Sequence, residues 1–433
     1  MTIIAPPGAA RSGTMEPMRA SWAIVLIGCH FSHGESFDAT APVDLASPDM
    51  PVASTCTDGV QDGDETGVDC GGSCPACQAG CTSHELPPSL NVDATQWSAS
   101  FLASPRWDCS GAGTTTIDSQ SGLVTATNCD VGTIDVTDDV AQIGGGPNVM
   151  VVRLRGLSIT GGYTLQLTGD KPIIILVAGD VVVDGGGLID AGARAGVPGP
   201  GGSSPACADK ATGLGEVATV DGWGGGGGGF GTAGGQGGYN VVNGGLASGT
   251  LTPLRGGCAG GTGNTTPGMG QLAGAGGGAV ELSASGTIAI GATSAANIAA
   301  SGGGAPAFTG GGNGGGAGGA VLLVSPVAAT FGAGSALRAN GGSGSSGSSS
   351  GSNLAGGDGH VADNAPATDS SGTPGGGNGN DHGRAGGIAT WDASGLASVA
   401  GQLPTQQVGG RGGGGGGGGM LEVTTGTDTA ACD

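Results

Sequence analysis

Long glycine-rich tracts constrain this chain more than any other feature. Residues 224–229, 302–319, 341–359, 372–387 and 409–419 form glycine-rich tracts, and 102 of the 433 residues are glycine. A glycine tract has no side chain to bury and loses more conformational freedom on ordering than any other sequence. It therefore either stays a disordered excursion or packs backbone against backbone, as polyproline-II strands do when side chains are absent. Most of these tracts run directly into a short apolar segment, a recurrence that favours ordered packing; the Ser-rich stretch 343–352 is the part expected to be disordered. Aromatic residues make up only 3% of the chain, so any core must be thin, repetitive and built from Val, Ile, Leu and Ala.

The apolar segments repeat. Residues 174–191, 280–300 and 321–339 each hold three short strand-like runs separated by Gly or other turn residues, and 420–425 repeats the first run once more. Period-2 alternation would place Ile174, Leu176, Val181, Val183, Val280, Leu282, Ile288 and Ile290 on one face, with Asp180, Asp184 and Glu281 on the other. Three strands per repeat, with glycines at the bends, describe the coils of an all-β, right-handed parallel β-helix, a solenoid carrying long Gly-rich insertions that are polyproline-II packed. Residues 149–159 and 164–167 read as earlier coils, and 114–136 as the start of the stack. In this register Leu176, Leu282 and Leu323 would share one inward column.

The formal net charge of −22 repels phosphate backbones, so nucleic acid is not an expected partner. At the N-terminal end, Arg11 and Arg19 precede an apolar stretch closing on Leu26-Ile27-Gly28-Cys29. This resembles a bacterial lipobox, which implies export, acylation of Cys29 and attachment to a membrane by lipid; a plain secretory signal with an incidental cysteine is the competing reading. The domains expected are a lipoprotein signal peptide (1–28), a flexible tether (29–55), a cysteine-rich module (56–81), a linker or cap (82–109) and the Gly-rich β-helix region (110–433).

Apart from Cys29 there are ten cysteines, an even number suited to disulfides in an oxidising compartment. Proximity pairs Cys109 with Cys129 and Cys207 with Cys258. The cluster Cys56, Cys70, Cys74, Cys77 and Cys81 is odd in number, so one bond must leave it, and Cys432 is the cysteine left over. The pattern C-x-D-G-x-x-x-G-x-E-T-x-x-D-C-G-G-x-C-x-x-C in residues 56–77 resembles a short module found after the signal peptide of myxobacterial cell-surface proteins. The resemblance implies an outer-membrane or cell-surface location and a modular architecture, and no activity.

Within that module Asp62, Asp64, Thr66 and Gly67 follow the opening of an EF-hand-type loop, with Asp58 or Asp69 standing in for its absent bidentate Glu, so calcium is the candidate ion. The Cys74-x-x-Cys77 spacing also suits zinc, although export favours disulfides. On the strands, Arg153, Arg155, Asp180 and Asp184 would face outward and form a candidate carbohydrate face. The pattern carries neither the carboxylate set of a hydrolase nor the calcium cluster and base of a lyase. His360 and His382 fall in Gly-rich loops, and no serine sits in a nucleophile-elbow motif. The chain thus reads as a lipid-anchored structural or adhesion protein of the outer surface, more in keeping with a non-enzyme. Its expected partners are envelope or extracellular polysaccharide or a cell-surface protein; the alternative is a carbohydrate-binding or polysaccharide-degrading β-helix.

Overall fold

The computed structural model describes residues 89–93, 96, 104–219, 223–238, 242–263, 272–306, 310–347, 355, 358–359, 388–392, 395–399 and 415–425. All lie in the second of two compact units, Ala76–Asp433. The expected lipid site Cys29, the cysteines Cys56, Cys70, Cys74, Cys77, Cys81 and Cys432, and the calcium candidates Asp58, Asp62, Asp64, Thr66 and Asp69 lie outside the described residues, as do His360 and His382.

The described residues are nearly all β, in parallel and mixed sheets with no closed barrel. The chain opens with β1 (Arg106–Ser110), β2 (Thr114–Asp118), β3 (Leu123–Ala126) and β4 (Asp135–Val140). Four triplets follow: β5 (Val149–Leu154), β6 (Gly156–Thr160) and β7 (Thr164–Thr168); β8 (Ile173–Val177), β9 (Val181–Val183) and β10 (Leu188–Asp190); β11 (Ala279–Ala284), β12 (Ile288–Ile290) and β13 (Asn297–Ala299); β14 (Ala320–Ser325), β15 (Ala329–Phe331) and β16 (Ala336–Arg338). The hairpin β17 (Ile388–Asp392) and β18 (Gly395–Val399) and a last strand β19 (Met420–Thr425) complete the order. Each triplet adds one parallel strand to each of three sheets, ordered β4-β5-β8-β11-β14-β19, β1-β6-β9-β12-β15 and β3-β2-β7-β10-β13-β16-β17-β18. These are called the first, second and third sheet below. The stack begins at β1, a few residues earlier than the sequence suggests, and within 114–136 only β2 joins in parallel. Antiparallel β3, β4 and the β17–β18 hairpin cover ends of the first and third sheets.

One core runs between the three sheets. It is filled by in-register columns such as Val152, Ile175, Leu282 and Leu323 of the first sheet, Leu157, Val181 and Ile288 of the second, and Leu165, Ile189, Ile298 and Leu337 of the third. Ile175, and not Leu176, pairs with Leu282. The expected column of Leu176, Leu282 and Leu323 is therefore corrected by one residue: Ile174 and Leu176 belong to a second apolar cluster on the outer face of the first sheet. Strand β8, Ile173-Ile174-Ile175-Leu176-Val177, is buried on both faces and so is apolar at every position. Phe230, Leu251 and Leu254 from the glycine-rich insertion and Val92 from the N-terminal side cover that outer face.

The chain leaves the third sheet after β10, β13 and β16 and re-enters the first sheet at β11, β14 and β19, and the described glycine-rich parts of the three intervening segments lie together. Their amides bond with a period of three. Gly225 N and Gly228 N donate to Gly312 O and Gly315 O, Gly226 N and Gly229 N to Glu216 O and Gly213 O, and Gly227 N and Phe230 N to Gly235 O and Thr232 O. One tract thus donates to three neighbours in rotation. Gly314 and Ala317 repeat the pattern toward Gly261 and Cys258, and Gly316 and Gly319 toward Gly303 and Ala300. A methyl group built at Gly226 would overlap Asn243 O, and one at Gly316 would overlap Ala275 O, so the spacing admits no side chain there. The part of the Ser-rich stretch within the described residues corrects its expected disorder: Ser343, Ser345 and Ser346 are buried, and Ser345 N donates to Asn313 O.

Cys109 of β1 bonds to Cys129, and Cys207 bonds to Cys258 within the 191–278 insertion, the pairings that proximity in sequence suggests. Beside the second bond Arg255 stacks over the Phe230 ring at 5.0 Å and donates to Ser248 O at 2.7 Å, and burial lowers its pKa.

Candidate functional site

The four residues expected to form an outward carbohydrate face are not one cluster. Arg153, on the outer face of β5, is only 5% exposed, held between side chains of the neighbouring strand β4 and Gln96. Its guanidinium donates to Asp135 Oδ1 at 3.2 Å, Thr137 Oγ1 at 2.8 Å and Gln96 Oε1 at 3.2 Å. Arg153 is therefore corrected from surface ligand to internal tie. Arg155 is exposed at the bend between the first and second sheets, and Asp180 occupies the same bend one triplet later. Asp184 sits beyond the other end of β9, at the bend toward the third sheet.

Both aspartates bond forward to the next triplet. Asp180 Oδ1 accepts from Thr287 N at 2.7 Å and Thr287 Oγ1 at 2.8 Å. Asp184, 8% exposed, accepts from Gly185 N at 2.7 Å, Thr293 Oγ1 at 2.7 Å and Ser294 N at 2.8 Å. Burial pushes the Asp184 carboxyl up, but these donors together hold its pKa below the ordinary value. The carboxylates satisfy bend amides that the sheet ladders leave open.

The sequence places Glu281 on the face opposite the inward column. It does lie on the outer face of β11, yet it is fully buried, because residues 89–93 lie across it. Its carboxylate accepts from Asn91 Nδ2 at 2.7 Å, Leu90 N at 3.2 Å and Ser283 Oγ at 2.8 Å. Asn91 Oδ1 in turn accepts from Leu254 N at 3.0 Å, joining the N-terminal segment, the first sheet and the glycine-rich insertion at one point. Desolvation raises the Glu281 pKa against the pull of its donors.

A concave site lies elsewhere. The turn after β2 leads straight back into antiparallel β3, and the bend from β7 to β8 of the first sheet is equally short, whereas the bend after β10 opens into the 191–278 insertion. Residues 197–205 of that insertion stand beside these turns and border an open, solvent-facing cleft of about 510 Å³. Its polar lining is Asp118, Gln120, Thr168, Asp170, Ser203 and Ser204, and Val197, Pro198 and Pro205 supply apolar wall. Asp118 accepts from Gln120 N at 3.0 Å and Ser121 Oγ at 2.7 Å, which fixes the turn after β2. Asp170 is exposed and close enough to Lys171 to help raise that ammonium's pKa, whose main cause is the hydrogen bond from Lys171 to Asp138. The sequence reading missed this cleft, because its walls come from three segments far apart in the chain and carry no spacing motif.

Among the described residues no group of three or more His, Cys, Asp or Glu is arranged to hold a metal ion, and no helix is long and apolar enough to cross a membrane. Comparison with protein-family models, curated proteins and solved structures finds no match.

Proposed function

We propose that the chain is a lipid-anchored protein of the outer surface, with a structural or adhesive role, built on a right-handed parallel β-helix whose glycine tracts pack as polyproline-II strands. The observation that carries this reading is the use made of the side chains: Arg153, Asp180, Asp184 and Glu281 are engaged in ties between one part of the stack and another. Stacked triplets with a repeating column of apolar residues are what a solenoid requires. The three-residue period of the amide bonds is the period of a polyproline-II helix. The Leu26 to Cys29 motif and the cysteine-rich module supply the address.

Fractionation of cells expressing the full chain tests the anchor. The wild-type protein should sediment with membranes and incorporate labelled acyl chains, and Cys29→Ala should release it unlabelled; unchanged sedimentation and labelling of the variant would contradict the anchor. Protease added to intact cells should digest the chain, whereas full protection would place it on another side of the envelope.

A further inference from the structure

We infer that the cleft beside residues 197–205 is a binding site for a neutral oligosaccharide. The inference rests on the adhesive half of the reading above, to which it gives a ligand class.

The chemistry of the lining sets the class. Two carboxylates, Asp118 and Asp170, and no Lys or Arg face the cleft, which excludes phosphate, sulfate and uronate ligands. The cleft is far larger than a single cation needs, and it falls within the range of small-molecule sites. An extended peptide would need a free strand edge, yet β2 is paired on both sides by β3 and β7, and β7 by β2 and β10. A sugar ring meets the remaining requirements: its hydroxyls donate to carboxylates and accept from the Gln120 amide, and its C–H face packs against Val197 and Pro198.

The surface leading to the cleft favours a chain of sugars over a single ring. On the outer face of the third sheet, Thr114 lies beside Thr164, Thr116 beside Gln166 and Asp118 beside Thr168. These side chains are half-buried or exposed and form a polar ladder that rises roughly 13 Å along the strands and ends at the cleft.

Calorimetry on the full chain with maltohexaose, cellohexaose and mannohexaose, and with hexagalacturonate and spermidine as charged probes, tests the inference. At least one neutral hexasaccharide should bind saturably. Asp170→Ala, at an exposed position, and Val197→Glu, at the 67% exposed lip, should each weaken it about tenfold while leaving the melting temperature unchanged. If Asp170→Ala lowers the melting temperature, Val197→Glu alone decides. Absence of binding by all three neutral sugars at millimolar concentration, binding of only a charged probe, or equal affinity in Val197→Glu would overturn the site. A chain that melts normally but binds none of them would still stand as a structural protein, so the scaffold reading fails separately.

Discussion

A carboxylate enclosed on a sheet face must find donors or lose its charge, and Glu281 meets this demand with Asn91, Leu90 and Ser283. Glu281→Ala would leave the Asn91 amide and the Leu90 N–H buried without their acceptor and should cost about 1–3 kcal/mol in chemical denaturation, whereas Glu281→Gln should cost less. Glu281 and Asp184 also give opposite pH dependences. The pKa of Glu281 is raised in the fold above its ordinary 4.5, so its contribution to stability is complete below that pH and is lost as pH rises through the raised value. Glu281→Gln should therefore flatten the decline in melting temperature above pH 4.5. The pKa of Asp184 is lowered from 3.8, so its contribution is present above that pH and is lost as pH falls through the lower value. Melting curves of Asp184→Asn should show a shallower acid limb than those of the wild-type protein; an identical limb would mean that the Thr293 and Ser294 bonds do not stabilise the bend.

At the scale of elements, the inward columns make the strands interdependent. Leu282 lies between Ile175 and Leu323 and is 1% exposed, so Leu282→Ala should cost roughly 2–5 kcal/mol. Leu282→Asp, which buries a charge among apolar neighbours, should prevent recovery of folded protein, as judged by loss of the β signal in circular dichroism. Three strands per repeat could be read in the sequence from Val280, Leu282, Ile288 and Ile290, whose alternation agrees with the structure. The inward side of β8 could not, because a strand buried on both faces carries no alternation to read. The burial of Arg153 and Glu281 was equally hidden: both do point outward, but residues 89–93 and Gln96 contact them there, and nothing in the composition of that part of the chain announces a cover. Pairing by proximity sufficed for Cys109 with Cys129 and Cys207 with Cys258, since each pair closes a local excursion.

For the molecule as a whole, the account depends on the glycine tracts forming an ordered layer. Hydrogen exchange of the intact chain, resolved to peptides covering 225–229, 257–261, 274–278 and 314–319, addresses this most directly, because in a disordered tract every amide is open to water. The bonds from Gly225 to Gly312, Gly228 to Gly315, Gly257 to Gly277 and Gly314 to Gly261 predict protection in these peptides comparable to that of β8, β11 and β14. Gly316→Ala, whose methyl group would meet Ala275 O, should lower that protection locally. Exchange of the tract amides at the rate of an unstructured chain, with the strands still protected, would contradict the ordered layer and the rigid scaffold built on it.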